Sequence, residues 1–211
     1  MFFSLMLKIN LRLKQSEKEK LSAELLYFKA QINPHFLFNT LNTIYSLAIQ
    51  KADNTAEAIV KLSGMMRFVI SDASHDYVSL EKEIRYISDY IEFQKIRHGE
   101  TVKVDYQTHN LLAGERIAPL LLMPFIENAF KFGINPEEES MIQIRISMSG
   151  MELHLFVYNR KVGILKGLDS QGGLGVENAR RRLELLYPDK HHLLINDGEQ
   201  DYTMDLFINL Q

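Results

Sequence analysis

The chain has 211 residues, 46% of them hydrophobic, enough for one medium domain or two small ones with a sizeable core. Its 24 Lys and Arg against 27 Asp and Glu leave a formal net charge of −3, which argues against direct nucleic-acid binding, since that needs a basic face. Cysteine is absent, which excludes a disulfide framework, a thiolate zinc site and a cysteine nucleophile, and fits a reducing compartment.

The opening Met1-Phe2-Phe3-Ser4-Leu5-Met6-Leu7-Lys8 is apolar but far short of the roughly 20 residues that a membrane span needs. Running into Arg12, Lys14, Lys18 and Lys20, it looks like the cytoplasmic side of a span lying upstream; a frayed terminus or the start of a coiled coil reads equally well. Over residues 7–32, Leu7, Leu11, Leu21, Leu25, Phe28 and Ile32 keep a heptad spacing, with Lys14 and Lys18 weakening its middle. Continuing that count puts His35 on the buried seam, so Pro34 is expected to kink the helix and turn His35 outward.

Around that proline, Gln31, His35, Asn39 and Asn42 share one helical face, while Ile32, Phe36, Leu37, Leu41, Ile44 and Ala48 take the other. A neutral imidazole among amides can present one nitrogen as a nucleophile while the other is held. A surface histidine with amide neighbours is the plainer alternative.

A break at residues 51–55 leads to a second helix with Ala58, Leu62, Met65, Met66, Val69 and Ile70 as its apolar stripe. A lone hairpin cannot bury such a face, so a homodimeric four-helix bundle through residues of roughly 10–73 is expected. The polar residues 71–76 read as a linker, dividing the chain into domains 1–75 and 76–211.

Val78-Ser79-Leu80 opens a helix with Glu81 and Glu83 in its first turn, buried through Ile84, Ile87, Ile91 and Phe93, and ending near His98-Gly99. Residues 102–106 alternate as a strand. Pro119 marks the expected start of a very apolar, buried helix over residues 120–129. Two strands, 141–148 and 152–158, turn at Ser149-Gly150, and a glycine-rich irregular segment follows. Gly172-Gly173-Leu174-Gly175 then opens a helix ending at Tyr187-Pro188, and strands near 192–195 and 202–210 close the chain.

The run Gln31-Ile32-Asn33-Pro34-His35-Phe36-Leu37-Phe38-Asn39 resembles the phosphoacceptor box of the LytS/YehU-type sensor histidine kinases. The later order of elements is similar to the ATPase domain shared by histidine kinases, gyrase B and MutL. Within it Phe125-Ile126-Glu127-Asn128-Ala129-Phe130-Lys131 resembles the first nucleotide motif, and the glycine turn followed by Val176-Glu177-Asn178-Ala179-Arg180-Arg181-Arg182-Leu183 again resembles the LytS/YehU type.

The resemblance implies an α+β chain in which an N-terminal helical hairpin, paired into a four-helix bundle on dimerisation, precedes a two-layer α/β sandwich of the Bergerat ATPase type. It implies ATP and Mg²⁺ as cofactors. His35 would be phosphorylated, Asn39 would help place the reacting group, and Glu127 would be the base. Asn128 would ligate Mg²⁺, Lys131 would meet phosphate, and Gly172, Gly173, Gly175 and Asn178 would line the nucleotide. A plainer alternative for Glu127 and Asn128 is a buried helix whose polar residues pair locally. One of the three arginines would turn to the nucleotide.

Asn159 stands where the family's adenine-reading acid would be, keeping an acceptor oxygen without the charge. Arg160, Lys161 and Phe132 also depart from the pattern, motivating a rival reading as a catalytically weak dimeric scaffold of the same fold. As a kinase the chain would pass phosphate to a response regulator receiver domain. It would be the cytoplasmic portion of a bacterial inner-membrane protein, attached through segments upstream.

Overall fold

The computed structural model describes residues 34–111, 114–135, 139–161 and 174–210. The heptad over 7–32, the apolar opening, Gln31, Gly172, Gly173 and the irregular segment 162–171 lie outside the described residues, as do the side chains of His35 and Phe36. The architecture is α+β, and residues from Asn39 onward make one compact unit.

Helix α1 spans Pro34–Ile49 and helix α2 spans Thr55–Arg67, separated by a turn where expected. Along α1, Thr40 is buried, whereas Leu41, Tyr45 and Ile49 are left 47%, 68% and 67% exposed. Leu41 and Ala48 of the expected apolar face are exposed in the single chain, the face that the expected bundle partner would cover.

The stripe on α2 also differs. Ala58 and Met65 are buried, but Ile70 is 68% exposed and Phe68 is buried in its place. Residues Phe68–Asp72 form a π-helical turn, which advances the chain by less than 100° per residue and so rotates the following side chains out of α-helical register. Phe68 itself continues the seven-and-three spacing of Ala58 and Met65 and reaches Tyr86, with ring centroids 4.9 Å apart, while Ile70, inside the turn, is carried outward.

Tyr86 belongs to α3, Leu80–His98, against which α2 packs. Lys61 reaches Asp89 at 3.1 Å, and a Cβ on Gly64 would lie 2.7 Å from Oδ2 of the same carboxylate, so a larger residue there would push the Asp89 side chain aside. Ser79 caps α3 by accepting the Lys82 N–H, while Lys82 reaches back to Asp72 at 2.6 Å. The expected linker 71–76 is therefore tied to α3 at one end, and its Ala73 is buried.

Two short strands, β1 (Val78–Ser79) and β3 (Arg116–Ile117), pair with each other. The main sheet has five strands in the order β2 (Val102–His109), β4 (Ser140–Ser149), β5 (Glu152–Arg160), β7 (Asp201–Asn209) and β6 (His191–Asp197). β2 runs parallel to β4 and the other neighbours are antiparallel. Alternation decides the faces. Ile142, Ile144, Ile146, Leu153, Leu155, Val157, Met204, Leu206 and Ile208 are wholly buried, and the residues between them lie on the open side.

Over the buried face lie α4 (Met123–Gly133) and α5 (Leu174–Leu186). The helix expected from Leu120 begins only at Met123, with Pro124 in its first turn, because residues 119–122 form a turn in which Leu120 takes a φ of +55°. No helix among the described residues is long and apolar enough to cross a membrane.

Candidate functional site

The site is built on α4. Met123, Phe125, Ile126, Ala129, Phe130 and Gly133 are buried, so the helix is fixed on one side and shows Pro124, Asn128, Lys131 and Phe132 on the other, with Glu127 at the margin beside α3. Pro124 and Asn128 are four residues apart and lie on one face, with Lys131 a turn further on. Each end of this face meets another predicted residue.

At the start of α4, a Cβ on Gly175 would stand 3.9 Å from Pro124 Cβ, so the glycine-bearing start of α5 lies against it. At its end, a Cβ on Gly133 would fall 2.7 Å from Asn159 Cβ. Gly133 is thus required by close approach, and it brings the end of β5 beneath the helix. Asn128 lies between these two contacts, with Lys131 Nζ 5.4 Å from the centre of the Phe132 ring.

Asn159 is 0% exposed; its Nδ2 donates to the Arg160 carbonyl at 3.3 Å, while Oδ1 has no hydrogen-bond partner among the described residues. Directly across the ladder stands Tyr202, whose buried hydroxyl is also unpartnered there. Burial pushes that hydroxyl up to about 12, Asp197 adding to the shift and Arg180 opposing it. A buried acceptor and a buried hydroxyl on neighbouring strands, neither bonded to the other, are costly in a folded core unless a polar ligand completes them.

Glu127 turns towards α3. Burial pushes its carboxyl up to about 7, and its charge adds to the burial that raises the hydroxyls of Tyr86 and Tyr90. A carboxyl titrating there is suited to exchanging protons near neutrality.

Of the other predicted residues, Asn178 sits half-buried in the first half of α5. His35 and Asn39 lie on α1, a separate element from this cluster, and the Asn39 carbonyl accepts Thr43 Oγ1 at 2.9 Å. The arginine triplet divides differently from expectation. Arg181 pairs with Glu177, the charge of Arg180 acts on the Tyr202 hydroxyl, and Arg182 is buried with its guanidinium on backbone carbonyls. Lys161 is tied to the β6–β7 turn through Asp197 at 2.6 Å and the Gly198 carbonyl.

Sequence reasoning missed Tyr202, Glu83 and Arg182. Tyr202 could have been found from strand alternation, which puts it on the same face as Met204 and Leu206. Glu83 gave no such signal, because its place in a first helical turn already had an ordinary explanation.

Residues 23–102 match a family model described as histidine kinase. Over 153 residues the chain is 32% identical to an uncharacterized sensor-like histidine kinase of Staphylococcus epidermidis, covering 72% of this chain and 29% of that protein. Over 152 residues it is 30% identical to the sensor protein kinase HptS of Staphylococcus aureus, with the same coverages of 72% and 29%. The chain therefore spans less than a third of the length of these relatives. Solved structures overlap it more loosely. One is the histidine kinase domain of an Erythrobacter litoralis blue-light activated histidine kinase, at 19% identity and a TM-score of 0.45 over 91% of this chain and 96% of that one. Another is histidine kinase ThkA in complex with response regulator protein TrrA, at 14% identity and 0.46 over 94% and 66%.

Proposed function

The chain belongs to the histidine kinase family, of the LytS sensor type, and from that membership we propose that it is a kinase transmitter that phosphorylates His35 from Mg·ATP and passes the phosphoryl group to a response regulator aspartate. The observation that carries the nucleotide part is the buried, unpartnered Oδ1 of Asn159 beside the unpartnered Tyr202 hydroxyl, under the helix that bears Asn128. An adenine edge offers an amino donor to that acceptor and a ring nitrogen to that hydroxyl. A scaffold that never binds nucleotide has no use for such a pair.

Bound Mg·ATP would supply the phosphoryl group and the triphosphate charge. Asn128 would offer the metal a neutral oxygen, as a hard ion that keeps most of its waters accepts. Lys131 would meet phosphate oxygens. Gly175, in the first turn of α5, would let backbone N–H groups approach an anion at a helix N-terminus, and the resemblance adds Gly172 and Gly173 to that role. Glu127 would take the proton that the His35 imidazole releases on attack, and Asn39, one turn beyond, would help place the attacking water or acceptor.

The division into an acceptor domain over residues 1–75 and a nucleotide domain over 76–211 remains part of this proposal. So do homodimerisation and membrane attachment upstream. The exposed Leu41, Tyr45 and Ile49 support the dimer, since an apolar stripe at helical spacing is what a bundle partner would cover. Any motion carrying nucleotide to His35 would have to break the Lys61–Asp89 and Phe68–Tyr86 contacts, or carry α2 along.

The test is incorporation of label from γ-labelled ATP with Mg²⁺. Acid-labile, base-stable label is expected in the native chain and should be lost in His35→Ala and Asn128→Ala. Label that survives His35→Ala overturns the assignment of the acceptor. A folded native chain that takes up none favours the scaffold.

A further inference from the structure

Residues 119–122, which lead into α4, are gripped from two sides by a buried pair of opposite charges. Glu83 of α3 is 0% exposed and accepts the Leu120 N–H on Oε2 at 2.9 Å. The N–H groups of Leu121 and Leu122 also act on its carboxyl. From α5 comes Arg182, 7% exposed, which donates to the Pro119 carbonyl at 2.8 Å and to the Leu120 carbonyl at 3.4 Å. Just before them, the Ala118 N–H donates to Tyr187 Oη at 2.9 Å.

This grip has a visible effect on the backbone. The apolar run through Leu120, Leu121 and Leu122 favours helix, yet Leu120 is held at a φ of +55°, a conformation costly for a branched side chain. The carboxylate on the N–H groups and the guanidinium on the carbonyls satisfy a turn that would otherwise bury unpaired polar groups. An apolar pair could fill the same space without doing that.

The grip joins three helices at the point where α4 starts. α3 supplies Glu83, α5 supplies Arg182, and the strap they hold leads directly into α4, whose Pro124 Cβ lies 3.9 Å from where a Cβ on Gly175 of α5 would stand. Resting on the kinase reading above, we propose that Glu83 and Arg182 are positioning residues that set the offset between Asn128 on α4 and Gly175 in the first turn of α5, and thereby the affinity for Mg·ATP, without touching it. Misplacing one half of a two-sided clamp by an ångström is enough to cost up to about a hundredfold.

The test compares the native chain with Glu83→Gln, Arg182→Met and the double variant. It reads Mg·ATP binding by calorimetry, the KM and saturating rate of His35 labelling, and hydrogen exchange at the Leu120, Leu121 and Leu122 amides. The double variant leaves no buried charge unpaired, so it keeps the test open if a single variant fails to fold. Each variant is expected to exchange those amides faster, to raise Kd and KM about tenfold, and to change the saturating rate less than about threefold. The double should be no worse than the worse single, because both residues act as one unit. Native-like affinity in the folded variants overturns the strap while leaving the kinase reading intact. So does an affinity loss that merely follows the melting temperature and vanishes on cooling. A folded native chain that binds no Mg·ATP overturns both.

Discussion

Replacing Gly133 by alanine tests the link between α4 and Asn159 directly. A Cβ there would lie 2.7 Å from Asn159 Cβ and 3.2 Å from its Cγ and Nδ2, so the obstacle is the root of the side chain, which a rotamer change cannot move. Either α4 or β5 must shift. Overpacking of this kind costs about 1–3 kcal/mol, while alanine over glycine within a helix returns about 1 kcal/mol. The net expectation is a destabilisation of about 1 kcal/mol, read as the midpoint of urea denaturation. Since the displaced group is the one carrying the unpartnered Oδ1, Mg·ATP affinity should fall about tenfold, more than so small a stability loss explains. An alanine variant that is more stable than native and binds nucleotide unchanged would refute the close approach and the role given to Asn159 together.

The pH dependence of stability should carry the mark of Glu83. Burial raises its carboxyl from 4.5 to about 7, so the folded state holds a proton that the unfolded state has released between those values. Its contribution therefore falls by about 3 kcal/mol as pH rises through that window, and denaturation curves at pH 5 and pH 8 should show this slope diminished in Glu83→Gln. Equal slopes would dismiss it. Phe68→Ala removes a buried ring packed at a tilt against Tyr86 and should cost about 3 kcal/mol, with α2 amides losing exchange protection before those of the sheet. Tyr45→Glu places a charge on the exposed stripe of α1; sedimentation should show a monomer, with the nucleotide affinity of the chain retained. A dimer surviving Tyr45→Glu and Leu41→Glu together would move the interface elsewhere.

Much of this architecture could be read from local pattern. Ile84, Ile87, Ile91 and Phe93 are buried as their spacing requires, and the strands on either side of Gly150 alternate as written. Errors arose where long-range contacts overrode local preference. Leu120 has every local reason to be helical and is held out by groups 37 and 62 residues away in sequence. Ile70 departs from the α2 stripe because it lies inside a single π turn that shifts the count, a feature with no signature in the residues that make it. In the site, Asn128 and Lys131 announce themselves as polar residues in an apolar run. The cross-strand partner of Asn159 depends on register, which only the paired structure supplies.

The parallel pairing of β2 with β4 has a consequence for how lesions in this protein should be interpreted. Parallel neighbours cannot be joined by a tight turn, so the chain between Val102–His109 and Ser140–Ser149 has to cross over, and α4 is part of that crossing. Until α4 docks, β4 keeps an unpaired margin open to other chains. Substitutions on the buried side of α4, such as at Phe125 or Ile126, should therefore surface first as insoluble protein in an expression host. Those at Lys131, on its open side, should yield soluble protein whose catalytic defect can be measured.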